Sequence, residues 1–226
     1  MPKINWYPGH MAKTRRLLQD QLRAVDAVIE LCDARAPLAT RNPDLARLTQ
    51  GKARILILNK ADLADDAQTA RWLEHFRREG LTALRFNSNG GKIKDILGKI
   101  EQATRPAVER YAARGVKKTI RTMVIGTPNV GKSTFIKRFM ETQVLPYIDN
   151  AYRRDRAQDE LPQSGSGRTI MTAEPKFVPE EAVRVQLEGD AAFSVRLIDC
   201  VGYMVPGAVG QFEDLSPRMV MTPWFD

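Results

Sequence analysis

The stretch Gly126-Thr127-Pro128-Asn129-Val130-Gly131-Lys132-Ser133 constrains the fold of this chain more than any other. It follows the apolar run Met123-Val124-Ile125 and precedes Thr134-Phe135-Ile136-Lys137-Arg138-Phe139-Met140, so a buried strand is predicted to turn here into a helix. Glycines let the backbone curl until its N–H groups face inward, and the new helix adds the positive end of its dipole. The result is a cradle for phosphate oxygens, formed by Asn129, Val130, Gly131, Lys132, Ser133 and Thr134. In this pattern the lysine, Lys132, reaches the β- and γ-phosphates, and Ser133 ligates magnesium. A nucleoside triphosphate with Mg2+ is the expected ligand, and an α/β P-loop NTPase fold the expected frame.

Two further runs, 25–33 and 53–58, read as strands, the second almost wholly aliphatic as an inner parallel strand requires. It ends on Asn59-Lys60-Ala61-Asp62. At the carboxyl end of a central strand, an aspartate accepts hydrogen bonds from both N1–H and the exocyclic amino group of guanine. Asparagine meets the O6 and N7 side, and the lysine stem covers the ring. Adenine has no N1–H and would leave these groups unpaired, so Asn59, Lys60 and Asp62 predict guanine. A short strand over 84–86 leads to Ser88, placed where a second base-contacting loop is needed. Helices are predicted over 44–48, over 65–79 with Gly80 as the stop, and from Ile93 to about Arg114.

Beyond the P-loop helix, the polar segment 149–168 is expected to be a mobile switch loop with a helical turn or two. Thr169 and Thr172 are the two candidates for a hydroxyl that closes over magnesium and the γ-phosphate. Strands are predicted around 174–178 and 183–187, and Phe193 to Ile198 then feeds Asp199-Cys200-Val201-Gly202. A strand ending in Asp-x-x-Gly suits an outer-sphere magnesium carboxylate, Asp199, and a backbone N–H on the γ-phosphate, Gly202. Tyr203 follows, where many GTPases carry a water-positioning glutamine.

Charge separates the two halves. Residues 1–120 hold 23 Lys and Arg against 13 Asp and Glu, the rest 12 against 14. The basic half points to an anionic partner, with RNA favoured in a cytoplasmic protein. Cytoplasmic is the expected location, because no run of eighteen apolar residues is present to span a membrane and the first residues lack the apolar core of a secretory signal. Cys32 and Cys200 lie in apolar segments and read as small hydrophobes. One domain is expected over 1–226: a basic segment (1–24), a base-recognition half (25–120) and a P-loop and switch half (121–226).

The guanine motif precedes the P-loop here, the reverse of the usual GTPase order. With Trp6-Tyr7-Pro8-Gly9-His10-Met11, Asp33-Ala34-Arg35-Ala36-Pro37, Asn59-Lys60-Ala61-Asp62 and the P-loop, that order resembles the circularly permuted ribosome biogenesis GTPase A family over about residues 3–134. The resemblance implies a Ras-like GTPase three-layer sandwich in circularly permuted motif order. It also implies a GTP/GDP cycle in assembly of the large ribosomal subunit, with rRNA or that subunit as partner of the basic half. His10 would then join Lys132 and Thr172 in hydrolysis. Asn129 resembles the asparagine of potassium-dependent GTPases, which implies K+ as a further cofactor. The remainder is similar to another family. Phe135 to Met140, Ala157 to Ser164, Thr169 to Phe177, Asp199 to Tyr203 and Pro217-Arg218-Met219 resemble the nucleotide-binding domain of the stage IV sporulation protein A family. That likeness implies ATP as fuel and self-association in coat morphogenesis. The chain reads as a hybrid joined at or near the P-loop.

Overall fold

The structure, a computed structural model, describes residues 19, 22, 23, 25–41, 45–115, 121–127, 129–159 and 161, and as backbone the segments 176–186, 192–199, 212–213 and 216–217. Its centre is β1 (Ala27–Asp33), buried at every position. Ile29 and Leu31 face one apolar cluster, while Val28 and Cys32 face the opposite side. β2 (Ala53–Asn59) alternates in the same way, Ile55 and Ile57 against Leu56 and Leu58. Strands apolar on both faces need cover on both, which a sheet between two helical layers supplies.

The sheet adds β3 (Thr82–Arg85), β4 (Thr122–Gly126), β5 (Lys176–Gln186) and β6 (Ala192–Asp199) in the order β3-β2-β1-β4-β6-β5. All neighbours run parallel except β5, which is antiparallel to β6 at the edge. One layer holds α3 (Ile93–Ala112) and α4 (Lys132–Gln143). Their Ile96, Ile100, Phe135 and Phe139 pack against Ile29, Leu31 and Val124. The other holds α1 (Leu45–Leu48), with Leu45 on Val28 and Met123, and α2 (Asp66–Arg78), with Leu73 and Phe76 on Leu56 and Leu58. Each fully buried ring, such as Phe76 or Phe135, contributes about 1.5–3 kcal/mol. The three-layer α/β P-loop arrangement is the one expected from the motifs.

Local chemistry sets the element ends. The Asp65 side chain accepts from Gln68 N–H at 2.8 Å to start α2, and Gly80, at φ 76°, follows its end. Two boundaries differ from the sequence reading. The strands expected around 174–178 and 183–187 are one strand, β5, whose register on β6 shifts between Val178 and Val183. Pro179 lies in that shift, where a residue without an N–H is tolerated in a sheet. The third strand starts at Thr82 rather than Leu84. The polar segment after α4 contributes α5 (Ala151–Asp159), a longer helix than a turn or two.

Two charged residues lie in β1, Glu30 in its middle and Asp33 at its end. Glu30, 3% exposed, receives Arg41 at 3.4 Å and Arg54 at 3.3 Å. Arg41 also lies 4.9 Å over the Phe76 ring, so the loop after β1 is held down by charge and by an aromatic face. Burial, and secondarily Glu30, push the Cys32 thiol well above its ordinary range. It stays protonated and packs as an apolar side chain, as expected. His75 lies on the exposed side of α2 beside Glu79 at 3.4 Å, a surface residue as read.

Candidate nucleotide site

Because the central strands are parallel, their carboxyl ends emerge on one edge of the sheet. The register sets Asp33 opposite Asn59 and Leu31 opposite Gly126, which brings the β1, β2 and β4 loops together. This edge is where open α/β sheets bind ligands.

The Asn59 side chain joins the ends of β2, β3 and β4. It is buried; Nδ2 donates to Val130 O at 2.7 Å, while Oδ1 accepts from Ser88 N at 3.0 Å and Ser88 Oγ at 2.8 Å. The sequence reading gave Asn59 and Ser88 contacts to the base. In the structure each is engaged by the other, and Asn59 also by the P-loop. Gly131, at φ 92°, packs so closely on Asn59 Nδ2 that a Cβ would strike it. At Gly126 a Cβ would meet Leu31 O at 2.5 Å. Both positions therefore require glycine, one for conformation and contact, the other for contact alone.

Lys60 takes the left-handed conformation, φ 57°, which turns its side chain back over the sheet edge. Its Nζ donates to Asp33 Oδ2 at 3.1 Å and to the Asn129 carbonyl. Asn129 is itself left-handed, φ 63°. Asp62 is exposed in the turn Ala61–Leu63, which follows Lys60 at the end of β2. Lys132 is buried and its Nζ donates to Thr127 O at 3.0 Å, within the loop predicted to cradle phosphate. Ser133 and Thr134 occupy the first turn of α4, and Val130 is buried below them.

Asp33, Arg35 and Thr40 carry a share of this site that motif reading left without a role. Asp33 accepts from Arg35 N at 3.0 Å, Arg35 Nε at 2.9 Å and Arg35 Nη2 at 2.7 Å, as well as from Lys60. Thr127 Oγ donates to Thr40 O at 3.3 Å, so the loop after β1 is tied directly to the P-loop. The available signal was Asp33-Ala34-Arg35, an aspartate at a strand end with the turn residues that suit it.

Burial alone raises the Asp33 carboxyl, but the Arg35 side chain, the Arg35 N–H and Lys60 outweigh it and hold the group at about 2, below its ordinary 3.8. A depressed carboxylate stabilises the fold above its unfolded value and loses that contribution as pH falls through its folded value. The stability gap between wild type and Asp33→Asn should be flat above about pH 4 and shrink by about 1–2 kcal/mol toward pH 2, once solvent screening is allowed for. Urea titrations of both proteins across that range measure it, and a constant gap would rule the linkage out.

Of the other sequence-predicted residues, Asp199 ends β6, its backbone in register with Val124 of the P-loop strand. His10, Thr169, Thr172 and Gly202 lie outside the described residues, so the structure does not place them.

The chain spans about half the length of the biogenesis relatives it matches and about a fifth of the sporulation relatives. Ribosome biogenesis GTPase A of Bacillus licheniformis is 42% identical over 143 residues, 62% of this chain and 50% of the relative. Stage IV sporulation protein A of Bacillus anthracis is 56% identical over 103 residues, 46% of this chain and 21% of the relative. Among solved structures, the GDP-bound structure of TM YlqF matches with a TM-score of 0.50 at 23% identity, covering 85% of this chain and 60% of that one, a likeness of fold. A family model described as stage IV sporulation protein A, ATPase domain, matches residues 109–226. The two-part resemblance read from the motifs is thus present in the comparisons, and through residues 109–226, more than half of its length, the chain belongs to the stage IV sporulation protein A ATPase-domain family.

Proposed function

We propose that the chain binds and hydrolyses GTP as a Mg2+-dependent switch acting in assembly of the large ribosomal subunit. The observation that carries the guanine reading is the Asn59 clamp. It joins the base-reading strand, the Ser88 loop and the P-loop carbonyl of Val130 into one pocket edge and leaves Asp62 exposed beside it. A nucleotide bound at this edge would meet the Asp62 carboxylate with its base and the P-loop N–H groups with its phosphates.

The residues present fit a phosphate and its metal. Gly126 and Gly131 leave no room for a Cβ at either end of the loop, Lys132 supplies buried charge, and Ser133 lies in the first turn of the helix. Magnesium in such sites takes one or two protein oxygens and several from phosphate and water, so Ser133 with Asp199 suffices. When bound, it neutralises charge that develops between the phosphates. Lys132 and the loop N–H groups orient the phosphoryl group. Thr169 or Thr172 and Gly202 sense it, and His10 helps to place the attacking water. Asn129 offers a ligand for K+. The basic half, with Arg71 and Arg77 exposed on α2 and Lys92 and Lys94 exposed at the start of α3, binds rRNA in a salt-sensitive manner. Among the described residues no helix is long and apolar enough to cross a membrane, and a cytoplasmic location agrees with this role.

The family match over 109–226 favours a second reading, an ATP-hydrolysing morphogenetic protein that self-associates. Calorimetry with Mg2+ and GDP, or non-hydrolysable GTP and ATP analogues, separates the two. Guanine-selective binding that weakens about thirtyfold or more in Asp62→Asn is expected, from loss of a charged acceptor for two base donors. Preference for ATP, unchanged in Asp62→Asn, would transfer the function to the second reading.

A further inference from the structure

The sheet order poses a geometric problem for Lys60. It follows β2, whereas the Asn129 carbonyl that it reaches follows β4, and β1 lies between those strands. The lysine side chain must therefore cross the end of β1. Asp33 stands at that crossing, in register with Asn59, and its Oδ2 takes the Lys60 ammonium at 3.1 Å. The guanidinium of Arg35 closes on the same carboxylate from its other side, at 2.9 and 2.7 Å, so that Asp33 is oriented before Lys60 arrives. Asp33 is 7% exposed, whereas the Lys60 side chain is 28% exposed. The buried member of the pair thus anchors the more exposed one.

We propose that Asp33 is a positioning residue for the nucleotide: it anchors the Lys60 ammonium against the Asn129 carbonyl, setting the lysine stem as a preformed platform for the purine ring and joining the base-reading turn to the P-loop. The inference rests on the guanine-nucleotide reading above and adds to it a residue that does not touch the nucleotide. A free lysine side chain gives up about 1.5–2 kcal/mol of rotamer entropy when it is ordered. A lysine already ordered by Asp33 has met that cost before the ligand arrives, which appears as slower ligand dissociation. The carboxylate is ionised throughout the neutral range, and Arg35 and Lys60 together outweigh the burial that opposes its charge.

The test is a double-mutant cycle on the release of a fluorescent GDP analogue, chased with excess GDP in stopped flow. Asp33→Asn removes the anchoring charge, and Lys60→Met removes the ammonium while keeping an apolar stem. Each is expected to speed release about tenfold, the effect of losing one charge-assisted hydrogen bond. The double variant is expected to be no faster than the faster single variant, because Asp33 acts only through Lys60. Multiplied effects, about a hundredfold in the double variant, would show that Asp33 serves only its own turn, and unchanged release in Asp33→Asn would overturn the proposal outright. Should Asp33→Asn fail to fold, Asp33→Glu keeps the charge but displaces it by one methylene, and an intermediate release rate is expected; a wild-type rate overturns the inference. Wild-type protein that prefers adenine nucleotides, or binds none, defeats the guanine reading itself and the inference with it, an outcome distinct from selective wild-type binding with multiplied variant effects.

Discussion

Asn59→Ala is expected to lower the unfolding free energy by about 3–5 kcal/mol and to abolish measurable nucleotide binding. The side chain is 1% exposed and satisfies Val130 O, Ser88 N and Ser88 Oγ at once. Alanine leaves these three groups buried without that partner, and each buried polar group left unsatisfied costs about 1–3 kcal/mol. The cavity beside Gly131 releases the P-loop as well, so binding and folding fail together. Urea unfolding followed by tryptophan fluorescence, with calorimetry on GDP, measures both effects. A variant that kept wild-type stability while losing only base selectivity would show that Asn59 acts on the base rather than on the loops.

Lys132→Ala should separate what Asn59→Ala joins. In the structure the Lys132 ammonium is buried and bonded to a neutral carbonyl, Thr127 O at 3.0 Å. Alanine removes the buried ammonium together with its desolvation cost, so ligand-free stability should change by less than about 2 kcal/mol. Affinity for GDP and GTP analogues should fall roughly a thousandfold, since truncating one member of a buried charge pair costs several kcal/mol. Stability in urea without nucleotide, set beside calorimetric affinity, gives the two numbers. A stability loss as large as that of Asn59→Ala would make Lys132 a structural residue first.

How far the sequence carried can be judged from single positions. The aliphatic run before Asn59 announced a central strand because burial on both faces leaves no room for alternation, and the three layers followed from it. Gly131 was legible as the turn from strand to helix, yet its exclusion of a Cβ by Asn59 was not, because that contact joins residues 72 positions apart in the chain. Lys60 and Asp33 are another such case: the motif named the lysine, but only the strand order shows what its side chain must cross. The division of β5 was misjudged at Pro179, where local propensity breaks a strand that pairing to β6 continues. In each case a periodic or turn-forming pattern was readable, whereas a contact set by sheet order was not.

The sheet order also has a consequence during synthesis. β1 is the middle strand of the site, but its neighbour β4 begins at Thr122, long after Asp33 has been made. Until residues 122–126 leave the ribosome, one edge of a mostly apolar strand has no partner, a state open to wrong pairing and to chaperones. The nascent chain holds its base-reading turn early and its phosphate loop late, and Asn59 waits 71 residues for Val130. On the proposed function, a growing chain would acquire nucleotide only after its P-loop has emerged, which would make ligand binding a marker of completed sheet assembly rather than a guide to it.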